Sequence, residues 1–583
     1  MTAVDARLIR LAEFLGITCE SLLLEKPAEE YARYLAHAVP GQDSCLVICP
    51  QVIKKWTEGR LPPDLASFLC SRFPRLLLHA PSADPFDASM IAALSGGRFG
   101  GVEGIGASEP YEISADSQDI CEAFAGISFG PANSANDRVF QPGPSSLQAR
   151  TLISIGGRPL MAAVKRESSE VLFLGGADIA DLDAEAADEM TDCFSRLLPY
   201  AMALRSIFGE ESWRPHQRHA CVIVDDPLLR QNYGFLSFDK LLRMMQDYNF
   251  HTTIAFIPHN FRRSSSVTGK MFRENSSYFS LCFHGNDHTG AEFAAADPAL
   301  LNSMLQIAEH RIGAHSKTTG LDCTRVMVFP QGNFSVEAMS VLQSRNFECA
   351  VNTSAYPTQQ AARLTLGELA QPALLRYAGF PLFLRSKSAH IRKEGIAFNL
   401  FFGKPVLIVE HHDIFRDPQP LLEAVSRINS VAPGIHWSNL GDAAANSFLR
   451  RRAADGAHHI RAYSRTVRIA NNGNSAARFA VEWSRGGDRA TVEKVLLDGT
   501  PGGAPEMDDA RIRAAFEVDS HSSRAVSLSY RNDHASLRGL GIRHNARAFF
   551  RRRLSEVRDD YLSKSQPVLL AAKTLQRCFS RKY

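Results

Sequence analysis

The sequence predicts an α/β protein of several domains, built around a parallel sheet closed into a barrel. Three observations predict it. The 583 residues exceed the size at which one hydrophobic core stays efficient. Strand-like apolar runs alternate with helical patterns between residues 218 and 452. After about residue 455, short alternating strands replace that pattern. We therefore expect an N-terminal α/β layer domain, a central (β/α) barrel and a C-terminal β-sandwich.

The N-terminal domain is predicted to cover residues 1–210. Residues 44–50 and 74–81 have the composition of buried strands, and residues 151–176 that of a hairpin followed by another strand. Residues 181–209 start with acidic residues and continue with an apolar stripe, which predicts a helix. This alternation resembles an amidotransferase-like α/β domain, and the resemblance assigns no catalytic residue.

The central domain, residues 218–452, is predicted to contain six or seven β/α repeats. Parallel strands need helical crossovers, and helical patterns fill most of the gaps between the apolar runs. In a closed barrel of this kind, chemistry lies at the carboxyl ends of the strands. The predicted strands are 220–226, 251–258, 278–284, 324–330, 347–352, 396–402 and 405–411.

Residues 455–532 alternate strand-like runs with Asn-Gly and Asp-Gly turns, which predicts a β-sandwich without chemistry of its own. Residues 533–583 are predicted as a basic helical tail. From residue 536 onward it has twelve Lys and Arg against three Asp and Glu. A helix that docks on a protein partner is favoured over nucleic-acid binding, because aromatic stacking residues are few. An amphipathic helix on an anionic membrane surface is the open alternative.

Composition favours no strongly charged partner for the whole chain, since the net charge is +3. The eleven cysteines are scattered singly without a CxxC pair, which favours reduced thiols inside the cell. The first residues lack the apolar core of a signal peptide, and no run reaches 18 apolar residues. We therefore expect a cytoplasmic protein, peripheral to the membrane if the tail binds lipid.

Carboxylates and imidazoles collect where three of the predicted central strands end. Each group alone has an ordinary explanation, such as a capped turn at "DDP" or a histidine pair satisfied in the core. Together on one edge of a sheet, they would cost desolvation energy unless they were paired or bound to a metal. The residues are Asp225 and Asp226, His284 and His288, and His411 and His412.

A carboxylate and two neutral imidazoles can hold a divalent ion, here expected to be Zn²⁺, while leaving positions open for water and substrate. Such an ion lowers the pKa of bound water from about 15.7 toward 7. A second carboxylate can accept the proton of that water, and an imidazole opposite it can protonate the departing amine. The three strand ends supply a candidate for every one of these roles.

The stretches "VIVDDP", "HGNDH" and "VEHHD" resemble, in this chain order, motifs of the polysaccharide deacetylase (carbohydrate esterase 4) superfamily, as a divergent member. The resemblance covers residues of about 218–450. It implies a distorted (β/α)7 barrel and metal-dependent removal of N-acetyl groups from sugars. By position it implies Asp225 as the base, Asp226, His284 and His288 as metal ligands, and His412 as the acid with His411 in reserve.

The chain departs from the family pattern at three places. Val328 and Phe329 stand before Pro330 where the family has an arginine, so the base is expected to lack its orienting partner. Gly285 replaces a Ser or Thr, and Pro227 replaces a Gly. With these departures, the sequence predicts metal binding more strongly than catalytic turnover.

Three functions are compatible with the sequence. The first is a metal-dependent hydrolase that removes acetyl groups from a carbohydrate in polysaccharide biosynthesis or modification. The second is an inactive deacetylase-like scaffold or sugar-binding protein of polysaccharide assembly. The third is an iron oxygenase with two histidines and one carboxylate. The predicted parallel β/α alternation disfavours the third, because such enzymes often use an antiparallel sandwich.

Overall fold

The structure is a computed structural model, and it describes residues 2–20, 44–106, 108–186, 190–359, 363–485, 491–531 and 541–560. The described residues form a mixed α/β fold with several sheets. One continuous apolar core extends from the N-terminal unit into the central unit. Among the described helices, none is both long and apolar enough to cross a membrane.

The N-terminal unit is a seven-stranded mixed sheet with helices packed against it. Strands Cys45–Ile48, Arg75–Leu78 and Ser169–Leu174 are parallel neighbours, as expected for buried β/α strands. The predicted helix over 181–209 begins only at Phe194. Met190–Cys193, directly before it, form a 3-10 helix, and Asp183 lies in a turn. The other four strands of this sheet are Tyr111–Ile113, Ser128–Phe129, Arg150–Ile155 and Arg158–Arg166, and Phe99–Gly104 and Arg138–Pro142 form a separate antiparallel pair. The helices are Ala3–Phe14, Pro50–Trp56, Leu65–Arg72, Pro85–Ser95, Gln118–Cys121 and Phe194–Phe208.

The central unit is built on a parallel sheet whose strand ends carry the candidate site. Leu382–Leu384 pairs with the strand at one end of the ladder, and Ser386–Lys387 pairs with the strand at the other end. Only Arg385 separates these two short strands, so one chain segment contacts both ends of the sheet. In ladder order the strands are Leu382–Leu384, Cys349–Asn352, Cys323–Val328, Phe279–Phe283, Thr252–Phe256, His219–Asp225, Val406–Glu410 and Ser386–Lys387, with His436–Trp437 paired to His219–Asp225.

One predicted central strand is wrong. Residues 396–401 lie in the helix Lys393–Phe401, which ends before Phe402 and whose apolar residues are buried on several sides. A short apolar run has the same composition in a buried helix and in a buried strand, so its pattern did not distinguish them. The strand that pairs with Cys349–Asn352 is Leu382–Leu384, which the sequence did not predict. The central helices are Phe238–Tyr248, Ser266–Glu274, Pro298–Thr319, Val336–Ser344, Leu366–Leu369, Lys393–Phe401, Gln419–Val431 and Leu440–Asn446.

The C-terminal β unit consists of two sheets that enclose one buried core, which includes Phe479, Trp483 and Leu528. Alternating burial along Ala477–Ser484 shows one face of that strand turned to the core. The larger sheet contains Arg214–Pro215, Leu449–Arg452, His458–Arg461, Ala477–Ser484, Arg511–Val518 and Glu506–Met507, and the smaller contains Thr466–Asn471, Ser522–Tyr530, Val492–Leu497 and Thr500–Pro501.

The predicted basic tail contains the helix Gly541–Asp560. This helix lies against the central unit, where Glu556 pairs with Arg230 and Arg263. The helix therefore docks on its own chain, at the face where the strands of the central sheet end. Residues 561–583 of the predicted tail lie outside the described residues.

Candidate metal centre

Three side chains from two strand ends converge on one point. Asp226 follows the strand His219–Asp225, and His284 follows the strand Phe279–Phe283, two places along the parallel sheet. Asp226 Oδ1 lies 3.2 Å from Nε2 of His284 and 3.2 Å from Nε2 of His288. The spacing between these atoms is that of ligands around one small cation.

The hydrogen bonds around these atoms fit a cation between them. His284 Nδ1 lies 2.9 Å from the carbonyl oxygen of Val328, which can only accept. Nδ1 therefore carries the proton, and the lone pair of Nε2 faces Asp226. Asp226 Oδ1 is buried and accepts no well-directed hydrogen bond within the described part of the chain. A buried carboxylate oxygen in this state costs free energy that a bound cation would offset.

The electrostatics of the three groups point the same way. Burial alone raises the pKa of Asp226, but the charges of His288, His284 and Arg552 outweigh it and hold that pKa well below its usual range. Burial lowers the pKa of His288 to about 4, so its ring is neutral near neutral pH. Burial also lowers the pKa of His284, but the carboxylates of Asp225 and Asp226 prevail and raise it. The negative potential that favours a proton there also favours a cation.

The loop between the two histidines is held by a buried carboxylate. Glu292 accepts hydrogen bonds from the backbone N–H groups of Asn286 at 2.9 Å, Asp287 at 3.1 Å and His288 at 3.1 Å. Gly285 has φ +63°, and a Cβ there would lie 2.0 Å from Glu292 Oε1. Glycine at this position is therefore required by the close approach of Glu292, which explains the departure from the family's Ser or Thr.

Backbone strain is concentrated at two of the three candidate ligands. Asp226 has φ +76° and His288 has φ +55°, both in the left-handed region that non-glycine residues seldom adopt. Such conformations cost about 1–3 kcal/mol each and persist where the surroundings enforce them. The fold thus places both side chains at the expense of local backbone stability.

Asp225 has an arginine partner after all, which corrects the expectation that the base would lack one. Arg385 donates from Nη1 to Asp225 Oδ1 at 2.7 Å and from Nη2 to Oδ2 at 2.6 Å. Both side chains are 4% exposed. Burial alone raises the pKa of Asp225, but the Arg385 charge outweighs it and lowers that pKa. The carboxylate is therefore ionised and fixed in orientation by a two-point contact.

The two neighbouring histidines at the end of Val406–Glu410 have different surroundings. His411 is exposed, and its charge contributes to lowering the pKa of Asp225. His412 is buried, and its Nε2 lies 3.5 Å from Asp559 Oδ1 on the C-terminal helix. The hydroxyl of Tyr233 donates to the other oxygen of Asp559 at 2.7 Å. The structure thus places both histidines near the strand ends, and within the described residues His412, unlike His411, has a carboxylate partner.

Further contacts fasten the C-terminal helix across this face. His544 Nε2 lies 2.8 Å from Asp287 Oδ2, and Arg552 is buried close enough to lower the pKa of Asp226. Sequence reasoning missed the functional positions of Arg385, Glu292 and Asp559. Arg385 follows the apolar run "PLFL", so identifying that run as a strand would have placed it at the same edge.

Comparison with known proteins gives structural matches only. No family description matches the sequence, and no curated protein matches it. The chain is similar to Agd3, described as a novel carbohydrate deacetylase, at 11% identity and a TM-score of 0.48 over 91% of this chain and 97% of that one. A polysaccharide deacetylase of Mycobacterium smegmatis matches at 14% identity and a TM-score of 0.26. This match covers 39% of this chain and 92% of that one.

A family 4 acetyl xylan esterase from Clostridium thermocellum, solved with a cobalt ion, matches at 13% identity and a TM-score of 0.24 over 39% of this chain and 90% of that one. The names of these structures are those of carbohydrate deacetylases and of a family 4 esterase, the group whose motifs the sequence resembles.

Proposed function

We propose that this chain is a metal-dependent hydrolase that removes acetyl groups from a carbohydrate. N-acetyl groups are the favoured substrate. One observation carries the proposal. The Nε2 atoms of His284 and His288 each lie 3.2 Å from Asp226 Oδ1. The ionised carboxylate of Asp225 stands beside them. A candidate metal site with a neighbouring base is the arrangement that amide or ester hydrolysis needs.

Asp226, His284 and His288 would hold the ion. A divalent cation bound there would polarise the acetyl carbonyl and acidify the attacking water. The chemistry left to the chain is proton movement. Asp225 accepts the proton that the attacking water loses, and Arg385 keeps the carboxylate pointed at the site through two hydrogen bonds.

The acid is His412. As the bond between the carbonyl carbon and the sugar nitrogen breaks, the ring donates a proton to that nitrogen, and a free amine leaves. Asp559 Oδ1 lies 3.5 Å from His412 Nε2 and holds the ring in place at the strand ends. The products are acetate and an amino sugar, or acetate and an alcohol if the substrate is an ester.

The non-catalytic alternative loses its main support. It rested on the missing family arginine and on the two flanking domains, and Arg385 holds Asp225 through two hydrogen bonds from another strand end. The oxygenase alternative is disfavoured by the parallel sheet that carries the ligands.

Acetate release from N-acetylated and O-acetylated oligosaccharides tests the proposal. The wild-type chain loaded with Zn²⁺ should release acetate, and Asp225→Asn should release it at least about a hundredfold more slowly, since general base catalysis contributes about 10²–10⁴ in rate. Asp247→Asn is the matched control, because Asp247 is exposed on the helix Phe238–Tyr248.

Zn²⁺ binding should persist in Asp225→Asn, which shows that the variant is folded. The proposal is overturned if the zinc-loaded wild type releases no acetate from either substrate class, or if folded Asp225→Asn is as fast as Asp247→Asn.

A further inference from the structure

A second cluster of metal-binding side chains lies in the N-terminal unit, away from the site described above. Cys49 follows the strand Cys45–Ile48 directly, and His79 follows the strand Arg75–Leu78. The two strands are parallel, and the His79 N–H donates to the Ile48 carbonyl at 3.0 Å. Both side chains therefore start from the same edge of the sheet, the carboxyl edge where open α/β sheets bind ligands.

Asp5, on the helix Ala3–Phe14, completes the cluster. Its Oδ2 accepts hydrogen bonds from the N–H and the hydroxyl of Thr2, each at 2.7 Å. Its Oδ1 is turned the other way and lies 3.4 Å from His79 Nε2. One ligand atom from each of Asp5, Cys49 and His79 lies within 4.8 Å of the other two.

The cluster contains a buried polar atom that the described residues leave unsatisfied. The side chain of His79 is 1% exposed, yet its Nδ1 has no hydrogen-bond partner in the described part of the chain. Leaving a buried ring nitrogen without a hydrogen bond costs about 1–3 kcal/mol. With the ring proton on Nδ1, the lone pair of Nε2 faces Asp5 Oδ1 at 3.4 Å, and a cation bound between these two atoms would offset their close approach.

We propose that Asp5, Cys49 and His79 bind a Zn²⁺-class cation. A thiolate, an imidazole and a carboxylate suit zinc, whereas Mg²⁺ and Ca²⁺ select oxygen ligands. Binding replaces the thiol proton of Cys49 with the S–Zn bond and releases that proton to solvent. Three protein ligands leave a fourth position for water.

A nucleophilic Cys-His-Asp triad is the competing explanation of the same residues. It would need the ring of His79 to take the Cys49 proton through a hydrogen bond. Within the described residues, His79 Nδ1 makes no such bond, and Nε2 faces Asp5. The geometry therefore favours a cation site over a thiol nucleophile.

Cobalt substitution separates this site from the one on the central sheet. The central candidate ligands are Asp226, His284 and His288, so of the two proposed sites only the one with Cys49 would give a near-ultraviolet thiolate-to-cobalt charge-transfer band. The full chain, stripped with a chelator and titrated with Co²⁺, should show this band. The band should reach its full intensity by two Co²⁺ ions per chain, one for each proposed site. His284→Ala should retain the band, and Cys49→Ala should lose it.

Cys45→Ala is the matched control, because Cys45 lies at the other end of the same strand and should not affect the band. The wild-type spectrum decides the matter even if Cys49→Ala fails to fold. No thiolate band in the wild type, or a band that survives in folded Cys49→Ala, overturns the proposal. Absence of the band together with selective alkylation of Cys49 would support the triad instead.

Discussion

Replacing Arg385 with methionine removes the charge that holds Asp225 while keeping most of the side-chain volume. The two side chains are 4% exposed and joined by two hydrogen bonds, of 2.7 and 2.6 Å. Removing one partner of a buried ion pair costs about 3–5 kcal/mol, because the other charge stays buried without compensation. Arg385→Met should therefore lower the free energy of unfolding by that amount at neutral pH.

Urea denaturation at several pH values measures this change. The folded-state pKa of Asp225 is lowered, so its carboxylate contributes stability above its unfolded pKa of about 4 and loses it as the pH falls through the folded pKa. In Arg385→Met the carboxyl keeps its burial and loses the guanidinium, so its pKa rises. The penalty should be largest near neutral pH and should shrink as the pH falls and the carboxyl takes up a proton.

Arg376→Met provides the control, since Arg376 is exposed and pairs with Glu368 only at 3.4 Å. Such surface pairs contribute about 0–1 kcal/mol. Acetate release should fall about a hundredfold in Arg385→Met, because small displacements of a catalytic group cost that much. A penalty below about 1 kcal/mol, or one that grows as the pH falls, would refute the reasoning.

Three further outcomes follow from the structure. Gly285→Ala, measured by urea denaturation, should lose about 1–3 kcal/mol from its left-handed conformation alone, and the new Cβ would also press against Glu292; unchanged stability would contradict this account of the loop. Asp559→Asn should increase hydrogen exchange in the helix Gly541–Asp560. Burial raises the pKa of Asp559, but hydrogen bonds led by His412 outweigh burial and lower that pKa to about 2. The carboxylate therefore contributes about 2 kcal/mol of stability above about pH 4 and loses it as the pH falls toward 2, and equal exchange in both proteins would argue against this contribution. Zn²⁺ at a hundred times its Kd should stabilise the fold by about 2.7 kcal/mol per site, and a thermal-shift titration of His284→Ala should lack one such increment.

The sequence predicted the strand ends of the central sheet because period and composition are local properties. Asp226 follows one apolar strand, His284 and His288 follow another, and parallel pairing brings such ends to one edge. Their convergence could therefore be anticipated without knowing any contact distance. The roles of the three side chains remain predictions.

Arg385 and Asp559 could not be predicted in the same way, because their partners are distant in the chain. Arg385 reaches Asp225 from the end of a three-residue strand for which the sequence predicted no element, while residues 396–402 were predicted as a strand and lie largely in a helix. Asp559 meets His412 because the C-terminal helix docks back on the central unit. Charge composition indicated a basic tail and gave no information about the surface on which it docks.

Zinc content in a Cys49→Ala background tests the central claim most directly, because that substitution removes the only proposed thiolate site. Chelator-stripped protein is equilibrated with Zn²⁺, and bound metal is counted by elemental analysis. One Zn²⁺ per chain in Cys49→Ala, and none in the double variant that adds His284→Ala, is the predicted result. Equal zinc content in the two folded proteins would contradict a metal site at Asp226, His284 and His288.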